Sequence, residues 1–132
     1  MHSFFIENSI LSLNKSGKAI FDKLYAIDKL KAQNVAKYYL DMQKITTICK
    51  YALKKSGMML MVIGNTEYKG VHIDNVKHLA ESMKNSGFQK VLVTKRKISS
   101  KILTPYRDEM GRFSASSDKR KIYNEEFIIV GR

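Results

Sequence analysis

The chain has 132 residues, room for one domain and one core but not for two. A hydrophobic share of 44% argues for a folded chain, and no apolar stretch approaches the roughly 20 residues that cross a bilayer, so a membrane span is not expected. Lysine and arginine number 24 against 12 aspartates and glutamates, and the resulting formal charge of +12 points to a polyanionic partner, nucleic acid first.

Residues 1–29 read as a lead-in segment. Phe4, Phe5, Ile6, Ile10, Leu11 and Leu13 are apolar but are interrupted at Asn14 to Gly17. The pattern predicts a short helix or extended stretch, a turn near Ser16-Gly17, then a helical turn or two through Ile20, Phe21, Leu24, Tyr25 and Ile27. Met1 to Asn8 has no basic flank followed by a long apolar run, so it does not read as a signal peptide, and a cytoplasmic location is expected.

Residues 30–132 form the body of the domain. From Leu30 to Lys55, Val35, Tyr38, Tyr39, Met42, Ile45, Thr46, Cys49 and Leu53 recur at the spacing of one helix face, with lysines opposite. Ser56-Gly57 ends this helix. The lone Cys49 cannot form an internal disulfide and reads as a buried, inert thiol. Met58 to Ile63 is a continuous apolar run, the pattern of a strand buried on both faces. Asp74 to Ser86 reads as a helix, Val91 to Val93 as a second strand, Thr104 to Asp118 as a polar loop, and Tyr123 to Val130 as a third strand. Strand, helix and strand in that order imply a parallel pair, and the last strand can run antiparallel. The fold class is therefore α/β.

The residues offer little catalytic chemistry. Every glycine stands alone, so no phosphate-cradling loop follows a strand. His72 and His78 lie too awkwardly across a helix start to share a metal, and are expected on the surface or at a cap. Glu125 and Glu126 point to opposite faces of a strand and cannot act as one acid/base pair.

Two candidate binding regions remain. The first is the loop after Ile63, with Asn65, Thr66, Tyr68 and Lys69. It leaves the carboxyl end of a strand, where open α/β sheets bind ligands, and it offers an amide, a ring and a cation for holding a base beside a phosphate. The second is a basic patch of Lys95, Arg96, Lys97, Lys101, Tyr106, Arg107, Arg112, Lys119 and Arg120, suited to phosphate contacts that position without reading sequence.

Three segments carry a family resemblance: Tyr39 to Met42, the strand ending Val62-Ile63-Gly64-Asn65, and Tyr68 to Asn75. With Lys101 to Asp108, Gly111 to Phe113 and Tyr123 to Arg132, they resemble in order and spacing the C-terminal part of site-specific DNA methyltransferases that modify adenine N6 or cytosine N4. The resemblance implies the last strands of a Rossmann-like methyltransferase sheet, with Met58–Ile63 fifth, Val91–Lys95 sixth, and Phe127–Val130 antiparallel between them. It also implies DNA as partner (RNA stays open), a target base flipped out of the helix, and S-adenosylmethionine as cofactor of the complete enzyme.

The chain departs from that family in two motifs. It lacks the aromatic residue followed by closely spaced glycines that binds the cofactor. With one proline, it also lacks the Pro-Pro-aromatic motif of catalysis. No catalytic residue is assigned, and the chain is expected to be inactive alone. The expected object is a truncated or split methyltransferase that needs its missing N-terminal half or self-associates. The competing reading is a non-catalytic nucleic-acid-binding module.

Overall fold

Helix α1, Lys15–Tyr25, starts where Asn14 turns its side-chain oxygen onto the Gly17 N–H at 2.8 Å. The turn expected at Ser16-Gly17 is thus the first turn of a helix. Gly17 sits there because its missing side chain leaves room: a Cβ would lie 3.2 Å from both Asn14 Oδ1 and His78 Cδ2. The computed structural model describes residues 10–97, 106–107, 113–114, 120–121 and 125–132.

Helix α2, Lys29–Ala52, is capped by Asp28, whose Oδ1 accepts from the Lys31 N–H at 3.0 Å. It buries Ala32, Ala36, Tyr39 and Thr46. Tyr38 and Ile45, expected on the same face, are exposed instead, since at about 100° per residue they fall well to one side of that stripe.

Strand β1, Met59–Ile63, is followed by β2, Thr66–Tyr68, and β3, Val71–Ile73, which form a hairpin. Helix α3, Asn75–Asn85, and β4, Val91–Lys97, come next. Gly87, at φ 104°, closes α3 in the left-handed region, with Gly87 N–H donating to Lys84 O and Phe88 N–H to Met83 O. Three two-residue strands, β5 (Tyr106–Arg107), β6 (Phe113–Ser114) and β7 (Arg120–Lys121), make a small sheet of order β6-β5-β7. The last strand, β8, is Glu125–Gly131.

The main sheet has the order β1-β8-β4. Strand β8 runs antiparallel to both neighbours, so β1 and β4 are parallel to each other without being adjacent. The register sets Met61, Ile129 and Val93 on one face and Leu60, Val130 and Leu92 on the other. Helix α3 and the second half of α2 cover the first face: Val76, Leu79, Met83 and Phe88 pack there with Met59 and Ile129, joined by Met42, Cys49 and Leu53. The other face carries Leu60 at 57% and Val62 at 53% exposure. This corrects the expectation for β1. Its run of apolar residues is buried on one face only, because among the described residues helices lie on just one side of the sheet.

A second cluster lies between α1, the first half of α2 and the hairpin. Leu13, Ile20, Phe21 and Leu24 meet Ala32, Ala36, Tyr39 and Ile73 there. Helix α2 belongs to both clusters, which explains why it is apolar on more than one side. The lead-in from Ile10 onward is thus packed into the core.

Candidate nucleic-acid interface

The loop after β1 is a built hairpin. Lys69 at φ 46° and Gly70 at φ 82° form its two-residue turn, the left-handed pair that matches strand twist. Asn65 and Asn75 fasten it to α3. Asn65 Oδ1 accepts from the Val76 N–H at 3.0 Å, and Asn75 Nδ2 donates to Gly64 O at 3.1 Å. Asn75 Oδ1 in turn accepts from the Tyr39 hydroxyl at 2.8 Å, tying the same point to α2. Asn65 therefore holds the helix start, and Thr66 lies in the strand opposite Ile73.

Tyr68 is the most engaged of the four predicted loop residues. Its hydroxyl donates to Asp28 Oδ2 at 2.6 Å, so the residue that caps α2 also anchors the hairpin. That bond holds the Asp28 carboxyl below its ordinary range and pushes the Tyr68 hydroxyl up. Lys31 and Lys69 bring their ammonium groups to 4.8 and 5.5 Å from the ring centroid. A half-exposed ring with two cations beside it can meet both a base and the phosphate attached to it.

The basic patch divides. Lys95 pairs with Glu125 at 3.0 Å, and Arg96 forms an ion pair with Glu126, its direct cross-strand neighbour. Two of the predicted phosphate ligands are thus neutralised within the sheet, and Lys97 stands opposite Glu125 in register. Tyr106 and Arg107 lie in β5 and Arg120 in β7, and β7 contacts β2. Part of the patch is thereby brought to the hairpin. Lys101, Arg112 and Lys119 lie outside the described residues.

A polar cluster that the sequence did not signal joins the three helices. His78, 1% exposed, stacks on Tyr39 with centroids 3.8 Å apart, and its Nε2 lies 3.2 Å from Gln43 Oε1. This corrects the expectation of a surface or cap histidine. Burial holds the imidazole down to about 4. Asn14 Nδ2 donates to His78 O and to Ser82 Oγ. Glu81 accepts from the N–H groups of Lys15 and Ser16 and from the Ser16 hydroxyl, placing a carboxylate at the N-terminus of α1. These bonds lock the three helices together. Among the described residues no three of His, Cys, Asp or Glu gather where a metal could bind, and no helix is long and apolar enough to cross a membrane.

Comparison with protein-family models, with curated proteins and with solved structures gives no match for this chain.

Proposed function

We propose that the chain is the C-terminal part of an amino-methyltransferase-type α/β domain, a Rossmann-like sheet fragment that contacts DNA and needs a complementary polypeptide for chemistry. One observation carries this reading: β8 is inserted antiparallel between two strands that run parallel to each other. That order is what the family resemblance implies for strands five, seven and six. The open sheet face around Leu60 and Val62 adds support, since a complete domain of this type has helices on both faces.

At the end of β1 the described residues do not fit S-adenosylmethionine. The turn after β1 leads into a hairpin, and the first N–H groups of α3 are already taken: Val76 donates to Asn65 and Lys77 to Asp74. No reaction step is assigned to this chain. Its part is to offer Tyr68, Lys31 and Lys69, with the nearby backbone of Arg120 and Lys121, to a nucleic-acid strand.

Calorimetric titration with S-adenosylmethionine tests the reading. No heat is expected from the chain alone, whereas a labelled DNA duplex should bind with a strong salt dependence. One-to-one cofactor binding would mean that the chain builds its own site and is not half of one. Absence of DNA binding at low salt would remove the nucleic-acid role. A non-catalytic binding module is the second reading, favoured by the two buried clusters that give the chain a core of its own.

A further inference from the structure

The fold also gathers cations at the end of the sheet remote from the hairpin. Between Asp41 and Glu67 the sequence has four lysines and no acid, and between Glu81 and Asp108 it has seven lysines and arginines and no acid. Tertiary structure brings parts of these two stretches together. Lys50, in the last turn of α2, reaches over Phe88 with its ammonium 5.1 Å from the ring centroid. The Thr47 hydroxyl meets that of Ser86 at 3.2 Å, pinning the end of α2 to the end of α3. Lys54 and Lys55 lie in the turn that leads to Met59, which pairs with Gly131. Lys90 and Arg132 exchange two backbone hydrogen bonds of 2.9 Å beside that same strand end.

Lys54, Lys55, Lys84 and Lys90 are exposed, and among the described residues none of them is in an ion pair. The helix dipole accounts for Lys50 and Lys84, which sit in last turns. It does not account for Lys54, Lys55 or Lys90, which lie beyond the helix ends. Tyr51, 93% exposed, stands between Lys50 and Lys54 in sequence and is left with its ring in solvent. The exposed residues next to these lysines in sequence are Ser56, Asn85 and Gln89, hydrogen-bonding groups, with Met58 the one large apolar side chain exposed in the turn before β1.

We infer that this end of the molecule is a second nucleic-acid-binding surface, for a single strand whose phosphates meet Lys54, Lys55, Lys84 and Lys90 and one of whose bases stacks on Tyr51. The amide and hydroxyl groups suit sugar and base edges and would gain nothing from a lipid interior. Strand β4 spans roughly 20 Å at the usual rise, so the surface is separate from the hairpin. It stands whether or not the chain belongs to a methyltransferase.

The test is fluorescence anisotropy of a labelled oligothymidylate over a salt series, with the full chain. Lys54→Ala/Lys55→Ala/Lys90→Ala should reduce the slope of log affinity against log salt by about 2, at about 0.7 for each phosphate that is no longer neutralised. Tyr51→Ala should weaken binding roughly ten-fold with the slope unchanged, and Tyr51→Phe should restore it. The control is Lys69→Ala/Lys97→Ala at the opposite end. If only the control changes the slope, the second surface is refuted while the hairpin surface stands. If the triple variant binds the oligonucleotide like the parent but no longer binds phosphatidylserine vesicles, the patch is a lipid surface and the inference fails. The altered side chains are exposed, so unchanged thermal melting should accompany every variant.

Discussion

Lowering the pH should destabilise this protein by way of His78. Its imidazole is 1% exposed, stacked on Tyr39 and held down to about 4 from an ordinary 6.5, chiefly by burial, with the Glu81 carboxylate working weakly the other way. The unfolded chain takes up a proton near the ordinary value, and the folded chain resists until about 4. The stability tied to the neutral ring is therefore complete above pH 6.5 and falls as the pH drops toward 4. At about 1.4 kcal/mol per pH unit the whole linkage is about 3 kcal/mol, of which about 2 kcal/mol should disappear between pH 6.5 and 5. That interval lies above the range in which Glu81 and Asp28, both held low in the fold, begin to take protons and add their own destabilisation. Urea unfolding followed by circular dichroism at closely spaced pH values reads the slope directly. His78→Phe keeps a stacked ring without a titrating nitrogen. It should cost about 1 kcal/mol at pH 7, because Gln43 is left without its imidazole partner, and give a flat profile from pH 7 to 5. A parent protein whose stability is constant over that interval, or an imidazole that titrates near 6.5 by NMR, would refute the reasoning.

Gly131→Ala should destabilise by about 1–3 kcal/mol in the same urea assay, because its Cβ would lie 3.0 Å from two Phe88 ring carbons and 3.1 Å from Met83 Sδ in a filled core. Asn65→Ala should cost about 1 kcal/mol, since it leaves the Val76 N–H at the start of α3 without its acceptor, and hydrogen exchange should rise first there. Leu60→Ser with Leu92→Ser should leave urea unfolding nearly unchanged, because both side chains are exposed on the same face of the sheet. If that pair instead unfolds the chain, the sheet face they share is not open.

The sequence by itself determined the elements whose signals are local. The long helix, read from Leu30 to Lys55 and found at Lys29–Ala52, the α3 helix closed at Gly87, and the three strands of the main sheet follow from spacing, a terminal glycine and apolar runs that each segment carries, although their exact ends do not. It also determined the charge, although the charge said nothing about which cations stay free. Tertiary structure decided that: register put Arg96 opposite Glu126 and let Lys95 reach Glu125, while Lys50, Lys54 and Lys90 are in no ion pair among the described residues. An apolar run such as Met59 to Ile63 looks alike whether one face is covered or two, because the covering layer comes from other segments. His78 and Asn14 were illegible for the same reason. They are 64 residues apart in sequence, and the hydrogen bonds and the Tyr39 stacking that offset their burial form only once α1, α2 and α3 have met.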